Sequence, residues 1–237
     1  ISKKTVASVA LYDIARVEVL KGPQPTLFGV AAANGAISIH SQLPTDTEEG
    51  KVQLGYNSEQ GRELDFMYNK PVNKNHSFRI AGLYREMDGI VENKACSDEA
   101  FYGEANVINY LGNSVPCSGE DLQGVSVQAL RATWKADYDK LEIIARASME
   151  YNDQPGIAFK SGSIAPKNGD TSPYTAAEFS MGSDLGIERS LYAYDLTVNY
   201  DINDTLRFHA DGFYKDVEVS EGFDADGSAL RIQDAYF

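Results

Sequence analysis

Leu141-Glu142-Ile143-Ile144-Ala145-Arg146-Ala147-Ser148-Met149-Glu150-Tyr151 has a period of two. Leu141, Ile143, Ala145, Ala147, Met149 and Tyr151 fall on one side of an extended chain, with Glu142, Arg146, Ser148 and Glu150 on the other. Successive side chains of a strand point to opposite faces, whereas a helix would scatter these residues around its axis. The stretch therefore reads as a half-polar β-strand.

The same alternation recurs on both sides of it. Upstream, Leu130, Ala132 and Trp134 oppose Arg131, Thr133 and Lys135, and Phe78, Ile80 and Tyr84 oppose Arg79 and Arg85. Leu64, Phe66 and Tyr68 alternate with Glu63, Asp65 and Asn69, and Val52, Leu54 and Tyr56 with Lys51, Gln53 and Asn57. Downstream, Tyr192, Tyr194, Leu196, Val198 and Tyr200 oppose Asp195, Thr197 and Asn199. Leu206, Phe208, Ala210 and Tyr214 oppose Arg207, His209 and Asp211. About seven strands follow residue 50. Their connections alternate in length. Pro71–His76, Ala136–Lys140 and Asp201–Thr205 are short turns of Asn, Asp, Lys and Pro, while 87–125 and 153–189 are long polar excursions. Ser58–Gly61 is the exception, short where a long loop is expected. All short turns at one end and long loops at the other is the pattern of an outer-membrane barrel.

A soluble sandwich also alternates apolar and polar residues. Two features favour the barrel. The polar faces carry many charges, among them Glu63, Asp65, Arg79, Arg146, Asp195, Arg207 and Asp211. The apolar faces end repeatedly in an aromatic ring, at Tyr56, Tyr68, Tyr84, Trp134, Tyr151, Tyr200 and Tyr214, and amphipathic rings prefer the membrane interface.

Composition excludes several classes. A net charge of −14 over 237 residues leaves no basic surface for nucleic acid. No stretch is long and apolar enough for a membrane helix, which leaves a barrel untouched because its strands alternate. With 43% hydrophobic residues the chain is too apolar to be disordered. No nucleophile elbow, zinc-type His cluster or phosphate-cradling Gly loop is found, so an enzyme is disfavoured, and no cofactor or metal is expected. Cys96 and Cys117 lie in a polar stretch and are expected to form a disulfide, which implies an oxidising compartment. Ile1-Ser2-Lys3-Lys4 is not followed by the apolar run of a signal peptide, so the chain is expected to be an internal piece of a longer protein.

Residues 1–44 read differently. Tyr12 to Leu20 is apolar-rich and stops at Lys21-Gly22-Pro23. The small-residue stretch Gly29 to Gly35 follows, then the short strand Ala36-Ile37-Ser38-Ile39. This is expected to be a compact α/β element, with 45–50 as a linker.

The blocks Asp13-Ile14-Ala15-Arg16-Val17-Glu18-Val19-Leu20-Lys21-Gly22-Pro23-Gln24 and Thr26-Leu27-Phe28-Gly29 to Ala33-Asn34-Gly35-Ala36-Ile37-Ser38-Ile39 resemble the closing motif of the plug in TonB-dependent receptors. Gly82-Leu83-Tyr84-Arg85-Glu86-Met87-Asp88-Gly89-Ile90-Val91-Glu92-Asn93 resembles the early barrel of that family. Pro25, Val30 and Ser41-Gln42 depart from the usual motif. The resemblance implies a mainly β fold: a portion of a plugged, antiparallel transmembrane barrel preceded by the end of an α/β plug domain. The expected division is plug end at 1–44, linker at 45–50 and first barrel strands at 51–237. The motif positions are Arg16, Glu18, Gly22, Pro23, Gln24, Gly29 and Gly35, and Arg16 and Glu18 are candidates for ion pairing between plug and wall.

The implied function is TonB-dependent uptake of a scarce solute across the outer membrane, with an iron–siderophore as the family's commonest cargo and cobalamin or a saccharide as others. TonB would act through a plug N-terminus missing from this chain, and outer-membrane lipid is the other partner. A surface receptor that captures a ligand or adheres without translocation is the alternative. Tyr174, Phe179 and Met181 in the second long loop are candidate ligand contacts, since exposed aromatics stack on rings. His209 falls on the polar, lumen-facing side as a hydrogen-bonded wall residue. Asp224-Ala225-Asp226-Gly227 lacks the further oxygen ligands of a calcium loop and reads as a tight turn.

Overall fold

The computed structural model describes residues 10–22, 35–58, 60–94, 106–108, 114–116, 121–156, 185–224, 227 and 234–236. These are strands and connections, with no helix among the described residues. β1 (Ile14–Lys21) and β2 (Gly35–Ser41) form a two-stranded antiparallel ribbon. The main sheet follows as β3 (Glu49–Tyr56), β4 (Arg62–Asn73), β5 (His76–Met87), β8 (Val125–Tyr138), β9 (Leu141–Pro155), β10 (Gly186–Asn203), β11 (Leu206–Asp224) and β12 (Asp234–Tyr236). A small hairpin of β6 (Asn106–Ile108) and β7 (Ser114–Pro116) lies within the first long excursion.

Each strand of the main sheet pairs antiparallel with its sequence neighbour, apart from the inserted β6–β7 hairpin, in the order β12-β11-β10-β9-β8-β5-β4-β3. Such a meander arises when consecutive strands are joined by tight turns, here at residues 74–75, 139–140 and 204–205. At Asn73 and Asn203 the side-chain Oδ1 accepts backbone N–H groups two or three residues on and closes the turn. β3 begins at Glu49, inside the stretch expected to be linker, because backbone pairing with Asn69 and Tyr68 continues to that point.

The register keeps every apolar residue of the expected alternation on one face. Phe78, Trp134 and Ala145 stand opposite one another across β5, β8 and β9, and Leu196 faces Ala145 from β10. This face is uncovered. Val52, Leu54, Ile80, Leu196 and Phe208 are all exposed, with Leu54 at 78%. In a sandwich a second sheet would bury these side chains. A single sheet with a continuous apolar face and a charged reverse face is instead built to meet lipid. On β9 the apolar face runs from Leu141 to Tyr151, about 33 Å along a strand at roughly 3.3 Å per residue. A barrel tilt of about 40° reduces this to a height of about 25 Å, the thickness of an outer-membrane band. At its short-turn edge His76 stacks on Trp134, with ring centroids 5.7 Å apart and planes 9° from parallel, and Tyr138 meets His76 edge-on.

The buried part of the molecule lies on the charged face. Ala81, Leu83, Val127 and Ala129 are small or apolar inward residues of β5 and β8, and Tyr12 packs on them together with Ala10, Met67 and Val125. A second cluster of Val91 and Leu122, with Leu185 against it, ties the bases of the long excursions together. Gly35 closes the β1–β2 ribbon at φ +126°, where an added Cβ would stand 2.3 Å from the Leu20 carbonyl oxygen. Only glycine fits both constraints.

Candidate functional site

The site is where residues 10–13, leading into β1, meet the charged face of the sheet. Asp13 has φ +48°, a left-handed backbone that Asp tolerates better than most residues. The turn aims its carboxylate at the wall. Arg79 of β5 donates from Nε to Oδ2 at 2.9 Å and from Nη2 to Oδ1 at 2.6 Å, a fork-on-fork pair. The same guanidinium donates from Nη1 to Glu49 Oε1 at 3.0 Å. Arg131 of β8 donates from Nη2 to the Tyr12 and Asp13 carbonyls at 3.0 and 3.2 Å, and the same nitrogen lies 3.7 Å from Asp13 Oδ2. Its guanidinium carbon lies 4.5 Å from the centre of the Tyr12 ring, a cation–π contact.

Further along the sheet, Glu150 of β9 accepts the Ala10 N–H at 3.0 Å and is ion-paired with Arg189 of β10. Asp13, Arg79, Glu150 and Arg189 are all at least nine-tenths buried as side chains. Buried charges persist only when paired and hydrogen-bonded, so Asp13 can sit here because Arg79 of β5 and Arg131 of β8 oppose it. Burial also raises the Tyr12 phenol above its ordinary pKa, keeping it neutral against Arg131.

A second fastening lies just after β2. Asn69 of β4 is fully buried, and its Oδ1 accepts the Thr45 N–H at 3.0 Å. Its Nδ2 donates to the Thr45 carbonyl, to Thr45 Oγ1 and to the Thr47 carbonyl, at 3.1, 3.0 and 2.6 Å. The Gln42 N–H donates to the Asp13 carbonyl at 3.0 Å, joining the two ends of the ribbon. The ribbon is thus held to the wall at both ends of its base.

The residues expected from sequence to carry the interface behave differently. Arg16 and Glu18 pair with each other at 2.6 Å on the exposed surface of the ribbon, with His40 3.5 Å from Glu18. Both lie on one β-strand at i and i+2, so they share a face and satisfy each other. Among the described residues the ion pair between ribbon and wall comes from Asp13, which sequence reading did not single out. Period two placed Arg79 and Arg131 on the polar faces of their strands, but no local pattern in the sequence paired them with Asp13. Gly22 and Gly35 close the ribbon with positive φ, +83° and +126°. Pro23, Gln24 and Gly29 lie outside the described residues, as do Cys96, Cys117, Tyr174, Phe179 and Met181. His209 bonds Asn199 Oδ1 at 2.6 Å and Asp211 Oδ2 at 2.7 Å within the wall. Asp224 ends β11 and Gly227 has φ +67°, with residues 225 and 226 outside the described set. Among the described residues no group of three or more His, Cys, Asp and Glu is placed to hold a metal ion.

No protein-family model matches the chain. Over 79 residues, a third of the chain, it is 34% identical to the pesticin receptor of Yersinia pestis. Over 89 residues it is 26% identical to the ferrioxamine receptor of Yersinia enterocolitica. Each match spans 12% of the relative's length. Among solved structures, the ferric yersiniabactin uptake receptor of Yersinia pestis superimposes with a TM-score of 0.65 at 22% identity, over 92% of this chain and 30% of that one. The ferripyoverdine receptor of the Pseudomonas aeruginosa outer membrane superimposes at 0.60 with 14% identity, over 87% of this chain and 24% of that one. The chain therefore spans about a third or less of the proteins it resembles, and at these identities the structural likeness speaks for fold. Taking that fold together with the partial sequence match to named receptors, the chain is similar to a section of the TonB-dependent outer-membrane receptors.

Proposed function

We propose that the whole protein takes up a ferric siderophore across the outer membrane, driven by TonB, and that this chain supplies the plug-to-wall attachment. In this reading residues 1–44 are the end of the plug, 45–50 the linker and 51–237 the first wall strands. The observation that carries it is the seating of residues 10–13 on the charged face of an otherwise membrane-facing sheet. A simple pore has no need of a separate segment held by buried charges on its inner wall. The siderophore is taken from the matched receptors, whose names specify yersiniabactin, pyoverdine and ferrioxamine. TonB would pull on plug residues N-terminal to this chain. The long excursion 87–125 is proposed to be stapled outside the cell by a Cys96–Cys117 disulfide, worth about 3 kcal/mol for a loop of this length.

The test is uptake of radiolabelled ferric siderophores by cells with and without the receptor, in backgrounds with and without TonB. Receptor- and TonB-dependent accumulation supports transport. Surface binding that is saturable but insensitive to TonB would replace it with capture without translocation.

A further inference from the structure

The segment 11–14 is seated unevenly on the wall. On the β5–β8 side its contact is dry, with Tyr12 against Ala81, Leu83, Val127 and Ala129. On the β3–β5 side a cavity of about 380 Å³ separates it from Lys51 and Gln53 of β3 and Asp65 and Met67 of β4. The register orders these residues by height. Glu49, Asn69 and Arg79 form the rung nearest the short turns, then Lys51, Met67 and Ala81, then Gln53, Asp65 and Leu83. Arg79, reaching from Asp13 to Glu49, therefore spans the floor of the cavity at its short-turn end.

We propose that this cavity is where the solute's passage past the plug opens, and that the Asp13–Arg79–Glu49 bridge is its gate on the periplasmic side. The proposal rests on the transport reading above. Two physical arguments carry it. Parting the segment from its dry seat would expose the apolar surface of Tyr12 and its partners, whereas Lys51, Gln53 and Asp65 already line the other side with groups that water can solvate. The smallest displacement that makes a path is therefore on the β3–β5 side. Secondly, each member of the Asp13–Arg79 pair has a second counter-ion. Arg79 keeps Glu49 when Asp13 leaves, and Asp13 has Arg131 at 3.7 Å. Breaking a buried pair is costly chiefly because it strands a charge. Here neither charge is stranded, so the bridge can open and re-form.

The experiment uses the full-length receptor, oriented in sealed proteoliposomes, with a membrane-impermeant thiol reagent on the periplasmic side. A cysteine at Gln53→Cys reports the cavity and one at Ala129→Cys reports the dry seat, with the native Cys96 and Cys117 of the parent as baseline. In the double variant D13A/R79A, labelling at position 53 is expected to rise by about tenfold or more, the factor that loss of about 1.4 kcal/mol of closure gives, with position 129 unchanged. No rise at 53, or an equal rise at both positions, overturns the gate. If D13A/R79A does not assemble, R79K decides. It retains the charge but cannot hold Asp13 and Glu49 in one fork, so labelling at 53 rises if the bridge is a gate and stays at baseline if it is not. Labelling needs no energised uptake, so failure of the gate (no selective rise at 53) and failure of the transport reading (TonB-independent accumulation in cells) are read by separate measurements.

Discussion

Asn69 makes the chain that follows the ribbon part of the wall. It is fully buried and its amide makes four hydrogen bonds to Thr45 and Thr47. Asn69→Ala removes all four of these hydrogen bonds from the exposed Thr45 and Thr47, an expected loss of about 1 to 3 kcal/mol. Hydrogen exchange at the Thr45 amide is the measurement, and unchanged protection would refute the assignment. Beside it, Glu48 accepts from the Tyr68 hydroxyl at 2.5 Å and from the Lys70 ammonium at 3.3 Å. These bonds, the hydroxyl's first, hold the Glu48 carboxyl below its ordinary pKa. A depressed carboxylate stabilises the folded form above the unfolded pKa, about 4.3, and that contribution fades as pH falls through the lower folded value. The linker should therefore stay attached at neutral pH and loosen only in acid, and Glu48→Gln should flatten that dependence when exchange is followed against pH. At Gly35, an alanine would meet the Leu20 carbonyl while holding φ +126°. Gly35→Ala is expected to cost about 1 to 3 kcal/mol and to fray the Lys21–Gly35 end of the ribbon, visible as faster exchange there.

At the scale of elements, the two faces of each strand were legible in the sequence because period two is a local property. Trp134 opposite Ala145, or Tyr84 on the rung of Gln128 and Tyr151, needs no knowledge of distant residues beyond the turn lengths. Strand ends were less legible. β10 starts at Gly186 and β11 runs to Asp224, well past the apolar stretches 192–200 and 206–214, because backbone pairing continues where the outer face no longer meets lipid. The β6–β7 hairpin left no alternation to read in three-residue strands. The seat was hidden for another reason: Asp13 and Arg79 are 66 positions apart, and Ala10 and Glu150 are 140 apart. Periodicity cannot report such pairs. The faces make opposite predictions for the same substitution on β9. Ala145→Arg places a cation on the apolar face near mid-height and should cost about 2 to 4 kcal/mol, whereas Ser148→Arg, pointing inward, should cost much less. Urea unfolding from phospholipid vesicles compares them, and equal losses would mean the faces are misassigned.

For the molecule as a whole, the decisive fact is that its sheet is open. Among the described residues β3 has a partner on one side only, and β12 covers just Gly222–Asp224 of the long β11. Unsatisfied strand edges are not tolerated in hydrocarbon. The 237-residue chain expressed alone is therefore expected to aggregate or pair edge to edge and to show no heat-modifiable migration, which the full-length receptor should show. A folded, monomeric, lipid-inserted product of this chain would contradict the open sheet. The seat of residues 10–13 also bears on the order in which the molecule is made. This segment emerges before the strands it needs, and its partners arrive at positions 79, 131 and 150. The added loop-closure entropy between the first and last of these contacts is only about 0.7 kcal/mol, so no large thermodynamic step separates them. Timing does: Tyr12 has no dry surface to sit on until β5 and β8 are paired, and Ala10 has no acceptor until β9 joins them. Residues 10–13, made before the strands they pack on, thus settle after them and must wait unburied while that part of the wall is built.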